Sequence, residues 1–182
     1  MRRLGRQPSG RAGGFTLLEV MVSATVFLLV AGAVTTSIVV SSALNTTSRE
    51  TALAAHAAES LVEELKSVDF TQAFARYNAS PKDDPALESS PGAAFVVAGL
   101  SALDDDADGF VGRLEFPGDG LELREDHVDA ELGLPRDLNG DDVIDALDHA
   151  ADYRILPVRV TVQWTGQNGT RSIELVTLLT QL

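Results

Sequence analysis

The stretch GGFTLLEVMVSATVFLLV, residues 13–30, opens an apolar run that carries one acidic side chain, Glu19. No charged residue occurs from Val20 to Val40. An uncharged run of this kind has the length of a bilayer-spanning helix, which needs about 20 residues. A carboxylate in lipid costs about 2.5–3.5 kcal/mol at the centre of a helix and less near its end. The stretch therefore predicts a membrane-spanning helix in which Glu19 needs a partner for its charge.

The segment before the apolar run is short, basic and rich in glycine. Residues 1–14, MRRLGRQPSGRAGG, contain four arginines and no acidic residue. Positive charge beside a membrane span favours the cytoplasmic side. A secretory signal peptide cut after Ala43, within VSSAL, is an alternative. Its apolar core would typically have about 7–15 residues, which is shorter than Phe15–Val40.

The composition argues against some partners and in favour of others. The chain of 182 residues has no cysteine, so it forms no disulfide bond, and its formal net charge is -13. Of its 27 acidic residues, 20 fall between Asp83 and Asp152, where only three arginines oppose them. Binding to nucleic acid requires positive charge against the phosphates. The acidic region therefore favours cations as partners and argues against nucleic acid.

A second helical pattern follows the membrane run without interruption. The segment SRETALAAHAAESLVEELKSVDF, residues 48–70, repeats apolar residues at four-residue spacing, and most of its charges fall on the other side. No proline occurs from Ala12 to Phe70. We expect one continuous helix from about Thr16 to about Val68, apolar all round in its first half and amphipathic in its second. The predicted apolar face comprises Leu53, Ala54, Ala57, Ala58, Leu61, Val62, Leu65 and Val68.

The C-terminal part of the chain carries the clearest β pattern. In PVRVTVQW, residues 157–164, apolar and polar side chains alternate, and RSIELVTLL, residues 171–179, follows after TGQNGT. Asn168-Gly169 is typical of a hairpin turn. AAFVVAGL, residues 93–100, is a further short strand candidate. The second half of the helix has a natural packing surface in such a half-buried antiparallel sheet.

The segment GFTLLEV, residues 14–20, resembles the signal of type IV prepilins and of type II secretion pseudopilins. That signal is a glycine, a cleavage point, a phenylalanine and then a glutamate as the fifth mature residue, at the head of an apolar helix. The basic leader, Gly14, Phe15 and Glu19 all match it. The match covers a short segment, but the combination is specific. AAHAAESLVEELKSVDF and the strand-forming C-terminus look most like minor pilins or minor pseudopilins.

The resemblance implies how the chain is processed and assembled. Prepilin peptidase would cut between Gly14 and Phe15, and Phe15 would be N-methylated. In such filaments the glutamate faces the N-terminal ammonium of a neighbouring subunit, which would give Glu19 its partner. The implied partners are other pilin or pseudopilin subunits, the peptidase and the bacterial inner membrane. After assembly the head would lie in the periplasm or in a filament at the cell surface.

These patterns together predict a pilin-like α+β fold, with a long N-terminal α-helix packed on a C-terminal antiparallel sheet. The head would carry calcium-binding loops. The predicted segments are a leader (1–14), a membrane and assembly helix (15–43), its amphipathic continuation (44–69) and a head (70–182) that contains the acidic region (83–152) and the hairpin (157–180).

The first candidate calcium loop is DDDADGFVGRLE, residues 104–115. It fills each diagnostic position of the twelve-residue calcium-loop template, including the sharp-turn glycine at Gly109. Alternating carboxylates suit Ca²⁺ because this cation takes six to eight oxygen ligands. A solvated acidic turn is the alternative. The predicted ligands are Asp104, Asp106, Asp108, the carbonyl of Phe110, Gly112 and Glu115.

The second candidate is DLNGDDVIDALD, residues 137–148, which resembles a single dockerin-type calcium repeat. Asp142 replaces the template glycine, and aspartate tolerates the left-handed region better than most residues. We expect a short helix to follow over Asp145–Ala151. Phe116-Pro117-Gly118 forbids a helix after the first loop, so calcium would order loops rather than act as a sensor. The predicted ligands are Asp137, Asn139, Asp141, the carbonyl of Val143, Asp145 and Asp148.

Catalysis has no support in the sequence. There is no cysteine nucleophile, and no glycine-rich phosphate loop follows a strand. His56 belongs to the long helix, and we expect His127 and His149, each beside acidic residues, at the surface. The sequence therefore predicts a structural subunit rather than an enzyme. Two alternatives remain: a membrane-anchored calcium-binding module that does not polymerise, and a soluble protein released after Ala43.

Overall fold

The computed structural model describes residues 14–80, 92–167 and 169–181. The chain divides into two compact units, Met1–Leu44 and Asn45–Leu182. Most of the predicted leader, the start of the acidic region and Asn168 of the predicted hairpin turn lie outside the described residues. The elements are α1 (Leu17–Ser67), α2 (Phe70–Tyr77), β1 (Ala94–Phe95), β2 (Gly112–Glu115), β3 (Ile155–Gly166) and β4 (Gly169–Thr180).

The N-terminal unit consists of the first part of α1. The hydroxyl of Thr16 accepts a hydrogen bond from the N–H of Glu19 at 3.2 Å, which caps the helix. Within the described residues, α1 is the one helix that is long and apolar enough to cross a membrane, by length and composition. Its threonines at 25, 35 and 36 donate to the carbonyls four residues earlier. Their hydroxyls are thereby satisfied inside the helix, as lipid requires.

The second unit is built on the second half of α1 and a sheet of order β1-β2-β3-β4, in which neighbouring strands pair antiparallel. The indole N–H of Trp164 in β3 donates a hydrogen bond to the carboxylate of Glu50 in α1 at 3.3 Å. The predicted packing of the amphipathic helix on the sheet is confirmed. The core joins Ala54, Ala58, Val62 and Leu65 of α1 to Leu156, Val158, Val160, Val162 and Trp164 of β3.

The predicted hairpin over residues 157–180 forms, and it begins two residues earlier than predicted, at Ile155. The register runs from Ile155 opposite Thr180 to Gly166 opposite Gly169. Of the predicted strand over residues 93–100, only Ala94–Phe95 pairs, with β2. Gly112 is required there because a Cβ at this position would lie 2.2 Å from the ring of Phe95.

Helix α2 was not expected from the sequence. Asp69 caps it by accepting the N–H of Thr71 at 3.0 Å. Its inner face is buried, and the phenol of Tyr153 accepts the N–H of Phe74 at 3.2 Å and donates to the carbonyl of Phe70. The head therefore anchors this eight-residue helix through a side chain nearly 80 residues further along the chain.

The expected short helix over Asp145–Ala151 is wrong, because this segment forms turns and irregular backbone. The carboxylates of Asp145 and Asp148 accept the N–H groups of Leu147 and Ala150 at 2.7 and 3.1 Å. Aspartate side chains that bond to nearby N–H groups in this way compete with a helix.

Candidate functional site

Gly14, Phe15 and Glu19 lie at the start of the chain's apolar helix. Gly14 and Phe15 precede α1, and Phe15 is exposed. Glu19 lies in the first turn and is also exposed. No lysine or arginine among the described residues forms an ion pair with Glu19. The partner predicted for Glu19 is thus not found among the described residues.

In the first candidate calcium loop, part of the expected turn forms, and two of the predicted ligands pair with arginines. Gly109 has a positive φ of 74°, as the template requires. Asp108, however, pairs with Arg113. Glu115, the expected ligand at the last position, lies in β2 with a carboxylate oxygen 3.7 Å from Arg159. The predicted ligands Asp104, Asp106, Phe110 and Gly112 lie in the same segment, and Gly112 belongs to β2.

The second candidate loop has the tight turn that the template requires. Asp142 has a positive φ of 67°, so the residue at the glycine position adopts the left-handed backbone. The carboxylate of Asp137 accepts the N–H groups of Gly140 at 2.6 Å and Asp142 at 2.8 Å. The pKa of Asp137 lies below its ordinary value because these backbone N–H groups bind the ionised form.

The next two side chains of this loop continue the turn. Asn139 accepts the N–H of Asp141 at 3.0 Å, and Asp141 accepts the N–H of Val143 at 2.8 Å. The structure therefore brings Asp137, Asn139 and Asp141 into one compact turn.

The last two predicted ligands of this loop have other partners. A carboxylate oxygen of Asp145 lies 3.2 Å from Nε2 of His149. The carboxylate of Asp148 accepts the N–H of Leu123 at 2.9 Å, which joins two segments of the acidic region. Both side chains thus contact residues outside the loop template, in addition to the turns that they cap.

The sequence did not predict a cluster of Glu125, Asp145 and His149, of which Glu125 and His149 are buried and Asp145 is partly exposed. Glu125 is 1% exposed and His149 is 5% exposed, so the expectation that His149 is a surface residue is wrong. His127, in contrast, is exposed as expected. One oxygen of Glu125 accepts the N–H of Leu138 at 2.6 Å. Within the described residues, this is the one group of three such side chains whose ligand atoms all lie within 4.8 Å of one another.

The ring of His149 is held between carboxylates on both sides. Its Nδ1 lies 3.0 Å from Asp152, and its Nε2 lies 3.2 Å from Asp145 and 3.9 Å from Glu125. Burial lowers the pKa of this imidazole, but hydrogen bonds to Asp152 and Asp145 and the charge of Glu125 raise it, and the net pKa is above the ordinary value.

A separate ion-pair cluster joins the acidic region to the sheet. Arg159 of β3 contacts Asp129 at 2.9 Å, Glu131 at 3.1 Å and Glu174 at 2.7 Å. Burial raises the pKa of Asp129, but the N–H of Leu132 and the guanidinium of Arg159 lower it, so that it lies below its ordinary value. Arg159 thereby offsets part of the repulsion among the acidic residues.

One comparison with known proteins identifies the N-terminal segment. The prokaryotic N-terminal methylation motif matches residues 10–35. No curated protein and no solved structure matches the chain significantly. The matched residues include Gly14, Phe15 and Glu19 and extend into α1 as far as residue 35. The N-terminal segment is therefore similar to that of type IV pilin-like proteins and has the features of a prepilin peptidase substrate.

Proposed function

We propose that this chain is a structural subunit of a type IV pilus or of a type II secretion pseudopilus, of the minor kind, that polymerises through its N-terminal helix. The observation that carries this proposal is the methylation motif at residues 10–35 leading directly into α1, Leu17–Ser67. Before assembly the protein would be a single-pass protein of the inner membrane. Afterwards its head would lie in the periplasm or at the cell surface.

Processing would create a positive charge close to Glu19. Cleavage between Gly14 and Phe15 leaves an ammonium group at Phe15, about one helical turn before Glu19. A carboxylate among packed apolar helices is costly unless it is paired. Pairing Glu19 with the ammonium of a neighbouring subunit would therefore favour one axial register between subunits.

We further propose that Ca²⁺ orders the acidic region of the head. The turn that centres on Asp137, Asn139 and Asp141, with the carbonyl of Val143 next in the template, supports this proposal for the second loop. Asp145 and Asp148 would have to exchange their present partners for the ion. In the first loop, Asp108 would have to leave Arg113 and Glu115 would have to leave Arg159 before both could bind the ion together with Asp104 and Asp106.

Intact-mass measurement of the protein from a host that contains prepilin peptidase tests the proposed processing. We expect a chain that begins at methylated Phe15. Gly14→Leu should leave the precursor uncut, because a bulky side chain would not fit where the peptidase accepts glycine. Gly13→Leu is the matched control, and we expect it to be processed more readily than Gly14→Leu.

Two other masses would each support an alternative to the proposal. An uncut wild-type chain would support a membrane-anchored module that does not polymerise, and a chain that begins at Leu44 would support a released soluble protein. Either result would contradict the proposal.

A further inference from the structure

We propose that Glu125, Asp145 and His149 bind a divalent transition-metal ion, with zinc as the probe, and that this ion fastens the acidic region of the head. The site is independent of the pilin proposal, but it shares Asp145 with the second proposed calcium loop. It uses a histidine nitrogen, which suits zinc and related metals, whereas Ca²⁺ takes oxygen ligands.

The spacing of the three side chains fits such an ion. Zinc binds histidine nitrogen and carboxylate oxygen at about 2.0–2.2 Å, so two ligands of a tetrahedral ion lie about 3.3 Å apart. Nε2 of His149 lies 3.2 Å from Asp145 and 3.9 Å from Glu125. The three ligand atoms all lie within 4.8 Å of one another, so their separations would have to shorten by at most about 1.5 Å to reach zinc-binding distances.

The orientation of His149 is that of a metal ligand with a supporting carboxylate. Asp152 lies 3.0 Å from Nδ1 and would accept its proton in the tautomer that leaves Nε2 free to bind a metal. Nε2 then faces Asp145 and Glu125. Histidine ligands of metals usually donate their other ring N–H to a carboxylate or a carbonyl, which orients the ring and raises its basicity. Asp152 is thus a positioning residue rather than a ligand.

The charge balance of the cluster also favours a cation. Three carboxylates, Glu125, Asp145 and Asp152, surround one imidazole. No lysine or arginine among the described residues forms an ion pair with any of the three. Even a protonated His149 supplies one positive charge against three negative ones, and the charge of the buried carboxylate, Glu125, is costly when it is unpaired. A divalent ion in place of the Nε2 proton would remove one further negative charge.

The backbone around Glu125 holds it in place for this role. Its two carboxylate oxygens accept the N–H groups of Leu138 at 2.6 Å, Asn139 at 3.2 Å and Asp145 at 3.4 Å. The N–H of His149 donates to the carbonyl of Leu123 at 2.9 Å. The ion would therefore join two segments that already contact each other. In a chain without cysteine, such an ion would cross-link an irregular region, in addition to the proposed Ca²⁺.

The test uses the full-length chain, purified in detergent without a polyhistidine tag and stripped of metal with a chelator. Zinc bound per chain is measured after dialysis, and affinity is measured by competition with a chromogenic chelator. We expect one tight zinc per chain. His149→Gln and Asp145→Asn should each weaken binding by about tenfold or more, since losing a ligand costs more affinity than losing a group that only orients a ligand. Ca²⁺ and Mg²⁺ in millimolar excess should not displace the zinc.

Two control variants separate this site from other zinc-binding groups. His127→Gln makes the same chemical change at an exposed histidine and should leave zinc affinity unchanged. Asp137→Asn alters the proposed calcium loop but not the three ligands, and should also leave it unchanged. Asp145→Asn keeps the shape of a half-exposed side chain, so a loss of zinc without loss of the circular dichroism spectrum would reflect lost ligation.

Nitrogen-15 NMR of labelled histidine gives a readout that a purely structural role would not change. With zinc, Nε2 of His149 should carry no proton and Nδ1 should keep its proton. An imidazolium with both protons in the presence of zinc would show an ion pair only and would overturn the proposal. Equal zinc affinity in wild type and His149→Gln would overturn it as well.

Discussion

At the scale of single residues, two positions have a specific requirement: Glu19 for its charge and Asp142 for its backbone conformation. Glu19 sits three residues after Thr16, whose hydroxyl accepts its N–H. This spacing is that of a helix-capping pair, in which a glutamate or a glutamine serves equally well. The proposed pairing with an ammonium group, however, requires the negative charge. Substitution at Glu19 can separate the two roles.

We expect Glu19→Gln to insert in the membrane and to be processed, but to be incorporated poorly into filaments, to about the same degree as Glu19→Ala. Glutamine preserves the helix cap and the size of the side chain but removes the charge. The measurement is the amount of each variant in sheared or affinity-purified filaments, relative to its amount in the membrane. Wild-type incorporation of Glu19→Gln would assign Glu19 to capping alone.

Asp142 gives a second prediction at this scale, because its backbone lies in the left-handed region. The side chain is exposed, so packing does not decide the outcome. A β-branched residue in this conformation costs about 1–2 kcal/mol. We expect Asp142→Val to lower the free energy of unfolding by about that amount and Asp142→Gly to preserve it. Equal stability of the two variants in urea unfolding would show that the turn is not strained.

At the scale of elements, the hairpin has one buried face and one exposed face. Leu156 of β3 is fully buried in the core, whereas Leu178 of β4 is 41% exposed. Truncation of a buried leucine leaves a cavity and costs about 2–5 kcal/mol. We expect this loss for Leu156→Ala, and a change of about 0.5 kcal/mol or less for Leu178→Ala, which serves as the matched control. Urea unfolding of residues 45–182, which contain every buried core residue of the described chain, measures both.

The contact between Asp129 and Arg159 joins an irregular segment to β3 and should respond to acid. The pKa of Asp129 is below its ordinary value of 3.8, so its contribution to stability is present above that value. It is lost as the pH falls through the lower pKa of the folded state. We expect Asp129→Asn to be less stable than wild type at pH 7, by about 1–3 kcal/mol.

This difference between Asp129→Asn and wild type should shrink as the pH falls below 3.8. Chemical unfolding of residues 45–182 at a series of pH values gives the difference directly. A difference that stays constant through this range would contradict the role of the ionised Asp129.

At the scale of the whole molecule, the acidic region determines how the head responds to cations. If Ca²⁺ binds a loop with a Kd of about 10⁻⁴–10⁻³ M, a concentration of ten times Kd adds about 1.4 kcal/mol per site. We expect residues 45–182 to melt a few degrees higher in millimolar Ca²⁺ than in chelator. Asp137→Asn combined with Asp141→Asn should remove part of this increase.

Asp119→Asn is the control for the calcium prediction. Asp119 also accepts a nearby N–H, that of Leu121 at 3.0 Å, but it lies outside both candidate loops. This variant should keep the full increase in melting temperature. The same melting temperature in Ca²⁺ and in chelator would show that the aspartates only form turns.

The local patterns of the sequence predicted the elements that depend on neighbouring residues. The uncharged run after Glu19 and the absence of proline predicted α1, and the alternation in PVRVTVQW predicted which side of β3 is buried. Helix and strand periods are set within a few residues, so a single segment reveals them. The motif around Gly14 and Phe15 is local for the same reason.

Only the tertiary structure decided the partners of the acidic region. Helix α2 is held by Tyr153, and Glu125 meets His149 across 24 positions of mostly irregular chain. In this region the carboxylates accept nearby backbone N–H groups, while leucines such as Leu123 and Leu138 are buried in the core. No repeat in the sequence marks which acidic side chains will converge. Which acidic side chains converge depends on how the irregular chain folds back to bury its leucines. This is a long-range property, and it cannot be predicted from the spacing of neighbouring residues.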